Sequence, residues 1–157
     1  MGRCLALDVG DKRIGVALSD PMQILASPLQ TIVRSGDENT LLEIANLVAR
    51  HGVEKLIIGM PYSLDGTIGY QAEKVLSFRD QIAQRLSVEI VLQDERLSSV
   101  TADQKLKETR KRSARLRDKI DAAAAAVILQ CYLDEARSTG EESGPGAPAF
   151  DAEEKTL

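Results

Sequence analysis

The chain has 157 residues, 43% of them hydrophobic. That length and composition fit one globular domain with a real core, and no apolar run approaches the ~20 residues of a membrane span. The N-terminus lacks a secretory pattern, because a charged start runs at once into a strand-like segment carrying Asp8. A cytoplasmic protein without membrane attachment is expected. Cys4 and Cys131 each lie in an apolar run and read as buried thiols of a reducing compartment.

The formal net charge of −4 argues against a nucleic-acid partner until its distribution is read. Residues 138–157 hold Glu141, Glu142, Asp151, Glu153 and Glu154 against Lys155. They account for the whole excess, so the preceding residues balance. Within those, residues 105–119 carry Lys105, Lys107, Arg110, Lys111, Arg112, Arg115, Arg117 and Lys119 against Glu108 and Asp118. Local charge sets where a phosphate backbone can dock. Arg110, Lys111 and Arg112 are therefore candidate nucleic-acid contacts.

In chain order, residues 3–8 read as a strand ending at Asp8, and Gly10-Asp11-Lys12-Arg13 is turn chemistry. Ile14 to Leu18 reads as a second strand, which makes a hairpin. Ser19-Asp20-Pro21 is a break. Leu25 to Val33 gives a third strand, with Pro28 favouring a sheet edge. Ser35 and Glu38 form a capping-box signature. Leu41, Ile44, Ala45 and Val48 then mark a helical face, and Gly52 suits its C-terminal stop. Lys55 to Ile58 is a short apolar strand closed by Gly59-Met60-Pro61. Ala72, Val75, Leu76, Arg79, Ile82, Ala83 and Leu86 trace a second helix, and Val88 to Leu92 is a fifth strand. A helix from about Ser99, the basic stretch and a long helix to about Arg137 complete the domain. The order predicts an α/β fold: a mixed five-stranded sheet, its first three strands antiparallel, with helices on both faces. Residues 1–137 are the expected domain. The Gly, Pro, Ser and Glu content of residues 138–157 reads as a disordered acidic tail.

Three carboxylates stand in distinctive frames. Asp8 ends an apolar strand, Glu95 follows another, and Asp121 opens the apolar run to Gln130. A carboxylate in such surroundings is costly unless paired or metal-bound. Three from distant segments could converge on Mg²⁺ or Mn²⁺, which take oxygen ligands. That outlines a metal-dependent phosphodiester hydrolase. Each residue also has a plainer reading: a turn Asp, an ion pair with Arg96, and an acid complementing a helix dipole. Lys12 and Arg13 could hold a phosphate or simply be exposed turn residues. Ser98 and Ser99 suit a helix N-cap. The loop from Gly59 through Leu64-Asp65-Gly66-Thr67 could line a cleft or merely join strand to helix. His51 before Gly52 suits the C-terminal end of a helix dipole. No Ser–His or Cys–His nucleophile system is visible.

Taken together, Leu7-Asp8-Val9-Gly10 with Arg13-Ile14-Gly15-Val16-Ala17, Ile58-Gly59-Met60-Pro61 with Asp65-Gly66, Asp94-Glu95-Arg96-Leu97-Ser98-Ser99, and Asp121 with Ala124-Ala125 and Ile128-Leu129-Gln130 resemble the YqgF family of RuvC-like, ribonuclease H-fold nucleases. The resemblance covers nearly all of residues 3–137. It implies a metal-dependent nuclease with the acidic triad Asp8, Glu95 and Asp121, using Mg²⁺ or Mn²⁺ and a two-metal mechanism. It also implies a nucleic-acid substrate: the 5′ end of precursor 16S rRNA, or branched DNA as in Holliday-junction resolvases. A homodimer is compatible with it. Two other classes stay open: a nucleic-acid-binding transcription factor without catalysis, and an actin-like phosphotransferase. The latter shares the Asp-x-Gly first strand but normally needs two such domains.

Overall fold

The computed structural model describes residues 2–62, 65–95 and 114–138, with the side chains of 114–118 excepted. The expected helix from Ser99, most of the basic stretch and the acidic tail lie outside the described residues. Five strands form one sheet: β1 (Arg3–Val9), β2 (Arg13–Ser19), β3 (Ala26–Val33), β4 (Val53–Met60) and β5 (Glu89–Asp94). Their spatial order is β3-β2-β1-β4-β5. The first three strands pair antiparallel, whereas β4 runs parallel to both β1 and β5. The helices are α1 (Asp37–His51), α2 (Tyr70–Arg85) and α3 (Ala114–Ser138). The mixed sheet expected from the element order is present.

The two sheet faces differ in side-chain size, and that difference places the helices. Leu5, Leu7, Ile14, Val16, Leu56 and Ile58 point to one side and pack with Leu41, Ile44 and Leu47 of α1 and Ala72, Val75, Phe78 and Ile82 of α2. The other side presents Cys4, Ala6, Ala17 and Ile57 to Ala125, Ile128, Leu129 and Leu133 of α3. Strand alternation sorts these residues between the faces. Small residues under α3 let its backbone approach the strands, while large ones under α1 and α2 fill a deeper layer.

Local chemistry explains most boundaries. Gly10 N–H donates to the Arg13 carbonyl at 2.9 Å and closes the β1–β2 hairpin. The Asp20 carboxylate accepts the Ile24 and Leu25 amides, each at 2.8 Å, and so fixes the turn into β3. Pro28 sits on edge strand β3 beside a register shift opposite Val16/Ala17, as a residue without an N–H should. Gly52 ends α1 in the left-handed conformation, φ 62°, its N–H bonded to the Val48 carbonyl. His51 occupies the last turn of α1, as its sequence position suggests.

Two expectations need correction. The capping box does not form: α1 starts one residue later, with Gly36 (φ 128°) as N-cap and no side-chain cap bond. Glu38 is instead committed to Arg85 of α2, accepting from its guanidinium at 2.6 Å. A two-point ion pair across helices outcompetes a local side-chain cap. The two cysteines also differ. Cys4 is fully buried, but Cys131 is only partly so.

Burial pushes the Cys4 thiol up to about 11, so it is protonated and shielded at ordinary pH. Iodoacetamide at pH 8 should therefore modify Cys131 and spare Cys4 in the folded protein, with both reacting in denaturant. Mass spectrometry of the labelled peptides checks this, and equal native labelling would contradict the buried position of Cys4.

Candidate active site

Asp8 lies near the end of β1, 7% exposed, on the same face as Cys4 and Ala6. Its sheet neighbours set up everything around it. On β2 the residue opposite Asp8 is Gly15. On β4 the aligned pair Leu7–Ile58 makes Asp8 and Gly59 the next residues on adjacent parallel strands. Asp8 is thus flanked on both sides by glycine.

Each glycine admits one of the other two acidic residues, Gly15 the backbone of Asp121 and Gly59 the side chain of Glu95. A Cβ on Gly15 would overlap the backbone carbonyl of Asp121 and come within 3.0 Å of the Ala122 nitrogen. The backbone of α3 therefore rests on β2 at this residue, the strand partner of Asp8. A Cβ on Gly59 would lie 2.9 Å from both Cγ and Oε2 of Glu95 and 2.8 Å from Ile128 Cδ1. Glu95, the residue after β5, thus lays its side chain over β4. The three acids expected from the sequence come from β1, the end of β5 and α3, and lie toward the same end of the sheet.

Asp121 is 3% exposed, well inside α3, which begins at Ala114. Its plainer reading as a helix-start acid is excluded by that position. Its charge is met by Arg13, whose Nε–H donates to Asp121 Oδ2 at 2.7 Å. Arg13 projects from β2 on the α3 side, two residues before Gly15. Arg13, which the sequence offers as a phosphate contact or a turn residue, opens β2 and is engaged with a buried acid. Lys12 is exposed at the hairpin tip. Among the described residues, no three acidic, histidine or cysteine side chains stand in a ready-made metal cluster. Arg110, Lys111 and Arg112, with Ser98 and Ser99, lie outside the described residues.

Two further elements resolve toward structure. The Gly10 carbonyl accepts from Arg34 at 2.8 Å, so its backbone serves the hairpin. Asp65 accepts the Thr67 amide and hydroxyl at 3.0 and 2.7 Å, an Asx turn with Gly66 at φ 88°. A cavity of about 470 Å³ opens behind the hairpin, lined by Gly10, Arg34, Asp37, Lys74, Phe78 and Gln81 among others. Its wall is internally neutralised by the Lys74–Asp11 and Arg34–Asp37 pairs, and none of the three acids lines it.

A mixed sheet in the order β3-β2-β1-β4-β5, with helices on both faces, defines a RuvC-like fold of the ribonuclease H type. The family model described as "RuvX: Holliday junction resolvase" matches residues 2–135, and the chain belongs to that family. It is 53% identical over 127 residues to a provisionally named pre-16S rRNA nuclease of Dehalococcoides mccartyi, covering 81% of this chain and 94% of that one. It is 42% identical to a protein of the same name from Desulforamulus reducens, covering 84% and 96%. In three dimensions it is similar to Thermus thermophilus RuvC bound to a Holliday junction, with a TM-score of 0.54 at 12% identity over 90% of this chain and 98% of that one. That last likeness bears on the fold alone. No helix among the described residues is long and apolar enough to cross a membrane.

Gly15 and Gly59 lie within the sequence motifs, but what approaches them is set by the assembled fold. The available signal was a glycine interrupting each apolar strand on the face shared with Asp8. Gly15→Ala should destabilise the fold by about 3 kcal/mol, because the clash is with backbone and cannot be relieved by a rotamer. Thermal and denaturant unfolding of the variant measure it, and a change below about 0.5 kcal/mol, the usual range for innocuous surface substitutions, would mean that α3 does not rest on β2 there.

Proposed function

We propose that this chain is a cytoplasmic, divalent-metal-dependent endonuclease that hydrolyses a phosphodiester bond at the 5′ end of precursor 16S rRNA. The observation that carries the proposal is the glycine-flanked Asp8, with Asp121 and Glu95 admitted at the two glycines. Two of these acids are almost fully buried at one end of the sheet, where a fold without chemistry would not place them. The rRNA substrate follows from the names of the closely similar relatives.

The donor chemistry fits Mg²⁺ or Mn²⁺. All three candidate ligands are carboxylates, whereas His51 sits away from them at the end of α1 and Cys4 is buried within the sheet. Asp8, Glu95 and Asp121 would hold the ions. A bound divalent cation lowers the pKa of water and neutralises charge on the phosphate. The chain's own part is to fix the carboxylates, through Gly15 and Gly59, and to keep water away from their buried sides. Lys12 at the hairpin tip, with Arg110, Lys111 and Arg112, would guide the backbone of the substrate. Residues 1–137 would form the nuclease domain and residues 138–157 an acidic extension outside it.

Asp8→Asn, Glu95→Gln and Asp121→Asn should each lower cleavage of a precursor-rRNA substrate at saturating Mg²⁺ by at least ~100-fold while leaving the circular dichroism spectrum native. Near-normal turnover in any of them would remove that residue from the reaction. A second reading, resolution of branched DNA, is favoured by the family description. Cleavage of a four-way junction faster than of rRNA would select it. Metal-dependent cleavage of neither substrate would favour the non-catalytic alternative.

Docking should depend on backbone charge, because only 3% of the chain is aromatic and bases have few stacking partners. Neutralising Arg110, Lys111 and Arg112 together should flatten the plot of log affinity against log salt. The slope should fall by about 0.7 for each lost contact on single strands and about 0.9 on duplex DNA. An unchanged slope on both substrates would move the docking surface elsewhere. The same titration on a chain cut after Arg137 asks whether the acidic extension competes for that surface.

A further inference from the structure

The pairing of Arg13 with Asp121 has no obvious use in docking a substrate, since it spends a positive charge on a carboxylate of the proposed metal site. We propose that Arg13 is a resident counter-cation. It neutralises Asp121 in the metal-free protein and gives up that carboxylate to a divalent ion, and its guanidinium then faces the substrate phosphate. The inference rests on the metal-dependent reading above and adds a role for a residue outside the acidic triad.

Burial makes a partner for Asp121 necessary. At 3% exposure an unpaired carboxylate would be strongly destabilising, and the Arg13 Nε–H at 2.7 Å supplies charge and a hydrogen bond together. A guanidinium is a fixed cation in proteins. That fixed charge makes Arg13 a competitor. A divalent ion at Asp121 and a guanidinium in contact with the same carboxylate repel each other, and little solvent lies between them to screen it.

The geometry also provides an exit. The Arg13 side chain is 26% exposed whereas that of Asp121 is 4% exposed, so the arginine reaches the acid from the solvent side. It stands on β2 next to exposed Lys12, at the end of the sheet where Asp8 emerges. A displaced guanidinium therefore remains at the mouth of the site, beside a second cation. Its planar fork matches phosphate. A purely structural arginine would stabilise the protein and also support metal binding. A counter-cation stabilises the metal-free protein and opposes metal binding, so removing it moves the two quantities in opposite directions.

The test uses full-length wild type, Arg13→Gln, Asp121→Asn, Asp8→Asn and the double variant Arg13→Gln/Asp121→Asn. Mn²⁺ binding is followed by calorimetry and thermal unfolding is measured in EDTA and in saturating Mn²⁺. Arg13→Gln should unfold at a lower temperature in EDTA, yet bind Mn²⁺ about tenfold more tightly and gain more stability from it than wild type does. In the Asp121→Asn background, Arg13→Gln should change Mn²⁺ affinity much less than it does in the wild type. Equal or weaker Mn²⁺ binding by Arg13→Gln, with Asp121→Asn still weakening it, would overturn the inference and leave the metal-site reading intact. Mn²⁺ binding unaffected by both Asp8→Asn and Asp121→Asn would overturn the metal-site reading itself. Should Arg13→Gln fail to fold, the wild-type protein still decides. The Arg13 Nε–H resonance should shift on Mg²⁺ titration as its bond to Asp121 breaks, and a resonance unmoved at saturating Mg²⁺ would overturn the inference.

Discussion

Seating the Asp121 carboxylate against the sheet is the demand on which the rest of this structure depends. A charge that far from water needs a partner held in place, and Arg13 is that partner. Arg13 is held by the β1–β2 hairpin, which also carries Asp8. The helix bearing Asp121 can come close enough only because position 15 has no side chain. Charge compensation, hairpin closure and helix–strand packing are therefore one requirement. Weakening any of them weakens the others.

The asymmetry of the sheet follows from the same demand. The α1/α2 side is built from large aliphatic side chains and supplies most of the hydrophobic burial. The α3 side carries mostly smaller residues, with alanine, cysteine and glycine beside Ile57, which contribute less burial but set a backbone at a fixed height above the strands. One face holds the domain together and the other sets the positions of charged groups. Such a division lets the site carry buried acids while the opposite layer offsets their cost.

What could be read from the sequence was what local pattern controls. Strand alternation, turn chemistry and the helical spacing of apolar residues gave five strands in the right order and placed Asp8, Glu95 and Asp121 at element ends or on a buried face. Contacts between distant segments were less legible. Arg13 and Asp121 are 108 residues apart, and nothing around either names the other. Ser35 and Glu38 have capping-box spacing, yet Glu38 is drawn to Arg85, 47 residues away. The glycines are the instructive case. A glycine in a strand signals close approach of something, but only the assembled fold says that α3 comes to Gly15 and Glu95 to Gly59.

The hairpin between β1 and β2 acquires a meaning that its exposed tip conceals. Because strand side chains alternate, sliding β2 by one residue against β1 would turn Gly15 to the α1/α2 face and set Ile14 or Val16 beneath α3. The helix would be lifted away, and the arginine would leave the acid it accompanies. A substitution at Lys12 changes what the tip presents to solvent, and one at Asp11 also removes the partner of Lys74. A single-residue insertion or deletion there would instead act like a shifted reading frame, scrambling which side chains face which layer. The length of this turn is therefore as much a part of the site as any carboxylate.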